Sequence, residues 1–215
     1  MKKLTDERLI EYIDDFHTDS SYSLEEFRLS CENEHIPIIR RDAESFLKNI
    51  LMIRKPLDIL EIGTGAGYSS TVFALTCEQA HITTIEMIEK RIKSAKSNFS
   101  KYGVSNRINL IEGDASEAIC LITNNRYDFV FIDCAKSRYR EFFQGVAGTT
   151  KPGSIIVCDN VFLDGRTISD EYIEKRRDRT SPVRMREFLS YLKDYKNAET
   201  SLLNIGDGLT FSIIK

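Results

Sequence analysis

The order of apolar runs in this 215-residue chain predicts a doubly wound α/β fold, a mostly parallel sheet with helices on both faces. Three observations carry that prediction. Short apolar strands alternate with amphipathic helices from Leu57 onward, and the first strand runs into Gly63-Thr64-Gly65-Ala66-Gly67 and then a helix. The last two apolar runs are separated only by Gly206-Asp207-Gly208. The alternation implies parallel pairing, and the glycines mark a ligand loop at the carboxyl end of a strand. The short final spacer forces an antiparallel hairpin, because a helical crossover needs more chain.

Helical periodicity comes first, over residues 5–16, 23–33 and 42–53, the second opening on a Ser-x-x-Glu capping box at Ser23 and Glu26. These make a helical extension over 1–55, and 56–215 make the core of what reads as a single domain. Strand and helix then pair as 58–62 with 68–76, 82–86 with 89–102, and 108–112 with 115–122. Strands 127–132 and 154–158 follow, with a helix at 139–146 between them and another at 182–195. Runs 201–205 and 209–214 form the closing hairpin.

At 41% hydrophobic and 29% charged residues the chain has the balance of a globular domain that buries its own core. Residues 1–15 are charged throughout and hold no apolar run, so the expectation is a cytoplasmic protein without signal or membrane anchor. Five cysteines, odd in number and without Cys-x-x-Cys spacing, point to reduced thiols rather than a zinc site or a disulfide framework. A formal charge of −3 gives no overall attraction for a polyanion, so any such partner must meet a local patch. One exists between 175 and 186, where Lys175, Arg176, Arg177, Arg179, Arg184 and Arg186 face the single acid Asp178.

Alternating glycines let the backbone turn tightly and approach a ligand closely. A dinucleotide loop reads Gly-x-Gly-x-x-Gly, with the pyrophosphate on the helix N-terminus, whereas here the spacing is Gly-x-Gly-x-Gly with Glu61 two residues earlier. That acid has no partner in a phosphate site and suits a cationic ligand end. The second strand ends in Glu86, about 20 residues beyond the loop, where an acid accepts hydrogen bonds from ribose hydroxyls. The third ends in Glu112-Gly113-Asp114-Ala115; Asp114 either meets an adenine amino group or caps the helix that follows.

The fourth strand ends in Ile132-Asp133-Cys134-Ala135-Lys136 and the fifth in Cys158-Asp159-Asn160. Oxygens from Asp133, Asp159 and Asn160 suit a hard divalent cation such as Mg²⁺, with further positions left for water and substrate oxygens. A cation on a hydroxyl oxygen lowers its pKa and orients it, and Lys136 stands near enough to serve as general base.

Together, Glu-x-Gly-x-Gly-x-Gly, Ile-Glu, Gly-Asp-Ala, Ile-Asp-x-x-Lys and Asp-Asn-Val resemble the metal-dependent O-methyltransferases of the catechol and caffeoyl-CoA group, over residues 36–215. The resemblance implies a Rossmann-like class I methyltransferase fold, whose seven-stranded sheet takes its last strand antiparallel. It implies S-adenosyl-L-methionine held by Ile39, Glu61, Gly63, Ser69, Glu86, Asp114, Ala115 and Asp133. It also implies Mg²⁺ or another divalent cation on Asp133, Asp159 and Asn160, with Lys136 and Asp133 catalytic. Ile39 belongs to the stretch Ile36-Pro37-Ile38-Ile39 that the family lays over the methionine end of the cofactor.

Small-molecule members usually frame an aromatic acceptor with tryptophans, and this chain has none. The stretch from Val161 to Arg166, the basic run and Gly206-Asp207-Gly208-Leu209 more closely resemble a bacterial branch that methylates 5-hydroxyuridine at the tRNA wobble position. That branch implies a tRNA anticodon loop as partner, with Arg40, Arg176 and Arg177 on its phosphates, and a homodimer to which the first helices contribute. The alternative is a small-molecule acceptor, a small aromatic diol of the catechol type or a hydroxycinnamoyl-CoA thioester.

Overall fold

The fourth strand explains the architecture most directly. In the computed structural model, all six residues of β4 (Tyr127–Ile132) are buried, as expected of a strand covered on both faces. The structure describes residues 7–17, 22–122 and 127–215, apart from the side chains of Glu7, Tyr22, Ser23, Arg176 and Arg177.

Three helices come first: α1 (Glu7–Phe16), α2 (Tyr22–Asn33) and α3 (Arg41–Arg54). The alternation then runs β1 (Asp58–Ile62), α4 (Tyr68–Thr76), β2 (His81–Glu86), α5 (Glu89–Lys101), β3 (Ile108–Glu112) and α6 (Ala115–Leu121). After β4 come α7 (Tyr139–Ala147), β5 (Thr150–Cys158), α8 (Thr180–Asp194), β6 (Ala198–Leu203) and β7 (Leu209–Ile214). The seven described strands form one sheet in the order β3-β2-β1-β4-β5-β7-β6. Strands β3 to β5 in that order are parallel, while β7 lies antiparallel between β5 and β6. This is the Rossmann-like methyltransferase arrangement.

Side chains alternate across the sheet with a period of two. Phe129 and Phe131 join Ile59 and Val157 under Leu47, Leu51, Val72 and Phe73 of α3 and α4. Val130 and Ile132 join Leu60, Ile62 and Ile156 under Phe142, Phe143 and Phe188 of α7 and α8. Each such buried side chain contributes roughly 1.5–3 kcal/mol, so both layers hold the sheet. The chain moves outward from β1 through β2 to β3 and then returns to β4 on the other side of β1, which opens a crevice at the carboxyl ends of β1 and β4.

Local differences from the sequence expectation have physical causes. The sixth strand spans Ala198–Leu203 rather than 201–205, because its antiparallel register with β7 pairs Ala198 with Ile214 and Leu203 with Leu209. Residues 204–208 therefore form the turn, and Gly206 N donates to Asp42 Oδ2 of α3 at 2.7 Å, a tertiary tie no local pattern encodes. The fifth strand begins at Thr150 rather than Ser154, through a register shift whose freed groups are met by the Ser154 hydroxyl, donating to Tyr127 O at 2.8 Å. Helix α2 already includes Tyr22, so Ser23 lies inside the helix rather than at a cap. Residues 5 and 6 of the first predicted helix lie outside the described residues. Among the described residues no helix is long and apolar enough to cross a membrane.

Candidate active site

The crevice is a cavity of about 530 Å³ whose walls come from the glycine loop, the ends of β2 to β5 and the extended segment 36–40 before α3. Gly63 has φ +102°, and a Cβ there would stand 2.0 Å from Asp133 O, so only glycine lets the end of β1 run against the end of β4. At Gly65, φ +56°, a Cβ would meet nothing and would project into open space, which leaves bare backbone facing the cavity.

Glu86 and Glu61 divide the support of this loop. Glu86 Oε2 accepts from Gly65 N at 3.1 Å, and its Oε1 accepts from Met87 N and Ile88 N at 3.0 and 2.9 Å. Glu86 thus lines the cavity while bracing the loop against β2. Glu61 is fully buried beneath the loop and does not line the cavity; it accepts hydrogen bonds from Ser69, Ser70 and Thr84 Oγ1, the last at 2.6 Å. Burial pushes its carboxyl up to about 7, against the opposing pull of those three hydroxyls. Ser69 lines the cavity itself and joins it to Glu61.

Of the two roles open to it from sequence, Asp114 shows the helix cap. It caps α6 by accepting from Ser116 N at 2.8 Å, and it lines the cavity beside Gly113 and Ala115. Arg138 clamps it with two contacts of 2.8 and 3.2 Å and holds its carboxyl below the usual range. Ile39 is buried, and with Ile36 to Ile38 it gives the cavity an apolar lining segment.

At the other end of the cavity the strand-end polar groups gather around one amine. Lys136 Nζ donates to Asp133 Oδ1 at 2.6 Å, Asn160 Oδ1 at 3.0 Å and Tyr139 Oη at 2.7 Å, with Asp159 O at 3.4 Å. Asp133, Lys136 and Asn160 line the cavity; Asp159 lies just behind, 1% exposed. Burial, then the Asp133 charge, push the Asp159 carboxyl well above the usual carboxylate range. Among the described residues no three of His, Cys, Asp and Glu group as a metal cluster, so a cation site here depends on the Asn160 amide as third ligand. The donor set is nonetheless all oxygen, and two of its oxygens already converge on one positive charge, which fits a hard cation.

Tyr139, fully buried, receives the Lys136 hydrogen bond and donates to Asp159 O at 2.9 Å, tying β4 to β5. Its sequence signal was only its position three residues past Lys136, one helical turn on. Arg138 has a local partner in Glu141, three residues on, but its bond to the α6 cap residue Asp114, 24 residues away, carries no sequence signal.

The rim is charged. Arg40 lines the cavity, is 47% exposed and lies 3.8 Å from Asp164. Arg41 instead pairs through both terminal nitrogens with Glu25, at 2.6 and 2.7 Å. In the basic run, Arg179 and Arg186 pair with Asp170, and Arg184 with Glu187. The side chains of Arg176 and Arg177 lie outside the described residues.

A sequence profile of the O-methyltransferase family matches residues 15–214. A catechol O-methyltransferase of Niastella koreensis is 27% identical over 133 residues, a match covering 60% of this chain and 60% of that protein. A Staphylococcus aureus structure provisionally termed a caffeoyl-CoA O-methyltransferase superposes with TM-score 0.90 at 32% identity, covering 95% of this chain and 98% of that one. A methyltransferase of Podospora anserina, solved with S-adenosylhomocysteine bound, gives TM-score 0.87 at 26% identity, covering 100% and 97%. With the family profile spanning nearly its whole length and the glycine-loop crevice where such a fold puts its site, this chain belongs to the O-methyltransferase family.

Proposed function

We propose that this chain is a divalent-metal-dependent O-methyltransferase that uses S-adenosylmethionine and acts on 5-hydroxyuridine at the tRNA wobble position. The observation that carries the chemistry is the convergence of Asp133, Asn160 and Tyr139 on Lys136 Nζ at the edge of the glycine-loop cavity.

When bound, S-adenosylmethionine supplies an electrophilic methyl group on a sulfonium sulfur and leaves as the neutral thioether. Glu86 would accept from its ribose hydroxyls and Asp114 from its adenine amino group, and Ile39 would cover its methionine end. When bound, a divalent cation supplies the charge that favours an ionised acceptor hydroxyl. Asp133, Asp159 and Asn160 would hold it. Lys136 Nζ is the group placed to take the hydroxyl proton, while Tyr139 keeps that amine between β4 and β5. The segment 36–40 and the glycine loop confine the reactants, so positioning supplies much of the rate.

Three features support the RNA acceptor. Arg40 stands on the rim, and the basic run leads into α8, which packs against the turn Lys136–Arg138. A uracil 5-hydroxyl beside its 4-carbonyl also presents two adjacent oxygens, as a catechol does. An anticodon loop offers that base already unpaired. Homodimerisation through the first helices belongs to the same proposal and is supported by Leu9, Tyr12 and Phe16, all exposed on α1.

The test is methyl transfer from labelled S-adenosylmethionine, with Mg²⁺, to hydroxyuridine-containing tRNA and in parallel to a catechol. Label in tRNA is the expected result. Label in catechol alone moves the chain to small aromatic diols.

A further inference from the structure

The helical extension carries a buried cation that the chemistry above does not use. Arg28 of α2 is only 4% exposed, yet no sequence motif includes it. Its Nη2 donates to Glu44 Oε2 of α3 at 2.6 Å and to the backbone carbonyl of Ile39 at 3.0 Å. Its guanidinium lies 4.9 Å from the centre of the Tyr68 ring, and the Tyr68 hydroxyl donates to the same Glu44 Oε2 at 2.8 Å.

Arg28 also meets Glu32 one turn along α2, Nη1 to Oε1 3.5 Å, while the Ile39 carbonyl and the Tyr68 ring belong to two segments that line the cavity. Ile39 is part of the apolar segment 36–40, and Tyr68 is the first residue of α4, directly after Gly67 of the glycine loop. A guanidinium suits this place because it is flat enough to stack on a ring while its edge donates in two directions. Burying a charge this deeply is costly unless it is paired and hydrogen-bonded; Glu44 and Glu32 supply the charge, and the Ile39 carbonyl and Tyr68 ring belong to residues that line the cavity. A structural salt bridge would need only Glu44; the Ile39 carbonyl and the Tyr68 face lie where a ligand would feel their displacement.

We infer that Arg28 is a positioning residue for the cofactor: through the Ile39 carbonyl and the Tyr68 ring it fixes segment 36–40 relative to the start of α4, two segments that line the cavity proposed to hold S-adenosylmethionine. The inference rests on the cofactor assignment above and extends it to the N-terminal helices, which thereby act as a clamp on the cavity. Arg28 touches neither reacting atom, so its loss lowers cofactor affinity rather than the turnover of the loaded enzyme.

The test is calorimetric titration of S-adenosylhomocysteine into full-length protein, with ligand-free melting followed in parallel. Arg28→Met alone leaves the buried Glu44 carboxylate, among the described residues, only the Tyr68 hydroxyl and Lys48 at 3.9 Å and can unfold the chain, so it is combined with Glu44→Gln. The pair removes both charges and keeps an acceptor for the Tyr68 hydroxyl, a change of the kind that leaves stability nearly intact. The expected result is a melting point close to wild type with affinity weakened on the order of tenfold, the scale of one lost buried hydrogen bond to a charged group. Arg28→Lys keeps the charge opposite Glu44 but not the flat fork; it too is expected to weaken binding, by about threefold to tenfold. In turnover, the KM for S-adenosylmethionine rises while kcat stays near wild type. Folded variants that bind S-adenosylhomocysteine as tightly as wild type overturn the clamp. A wild-type protein that does not bind it at all overturns the cofactor assignment, and the clamp with it.

Discussion

Lys136 Nζ donates to Asn160 Oδ1 at 3.0 Å, a bond that joins the turn after β4 to the turn after β5. Asn160 presents that oxygen from a left-handed backbone, φ +54°, a conformation that costs an L-residue about 1–2 kcal/mol. Asn160→Gly separates the backbone from the amide. The glycine variant is expected to melt at or slightly above the wild-type temperature, because the strain is relieved. Methyl transfer is expected to fall on the order of 100-fold, the scale of a damaged metal environment. A melt and an initial-rate assay on the same preparation check both halves.

Glu61 makes stability depend on pH. Burial raises its carboxyl to about 7 in the folded chain, whereas an unfolded glutamate titrates near 4.5. Between those values the folded state binds the extra proton, so this contribution to stability is fully present below about 4.5 and is lost as pH rises through about 7. The full swing is on the order of 3 kcal/mol. Melts of wild type at pH 5 and pH 8 are expected to differ by more than those of Glu61→Gln. Equal pH sensitivity in the two proteins contradicts the assignment.

The glycines of the loop divide into structural and ligand-facing positions. At Gly63 an added methyl collides with the Asp133 carbonyl, so Gly63→Ala is expected to cost more than about 3 kcal/mol or to prevent folding. At Gly65 the space is open and the cost of alanine is mainly the left-handed backbone, about 1 kcal/mol. Gly65→Ala is therefore expected to fold and to lose affinity for S-adenosylhomocysteine, as a parallel melt and titration would show.

These outcomes bear on what the sequence made legible. Periodicity and the glycine loop sufficed for the sheet, because β1 and β4 are nearly continuous apolar runs whose burial has one solution. The bounds of β6 were not legible: Asn204 and Ile205 look like strand, and only pairing with β7 and the Asp42 bond assign them to a turn. Strand-end acids could be named because the fold brings strand ends together. The hidden side of the site was different. Arg28, Tyr139 and Arg138 have partners three or four residues away, but the contacts that join them to the site run to Ile39, Asp159 and Asp114, at separations of 11, 20 and 24 residues that no local spacing announces.

The basic run tests the acceptor. Arg179, Arg184 and Arg186 already serve ion pairs within the fold, so the pair to reverse is Arg176 and Arg177. Arg176→Glu with Arg177→Glu is expected to lower methyl transfer to hydroxyuridine tRNA at least about tenfold, more steeply as salt rises. Activity on a catechol, measured under the same conditions, is expected to change little.

Metal dependence tests the central claim most directly. Methyl transfer by the wild-type enzyme is to be followed after exhaustive chelation, and again after Mg²⁺ is restored, with Asp159→Ala carried in parallel. The account predicts activity that disappears with chelator, returns with Mg²⁺ in the wild type and does not return in Asp159→Ala. Full activity in the presence of chelator would show that Asp133, Asp159 and Asn160 hold no catalytic cation and that Lys136 works without one.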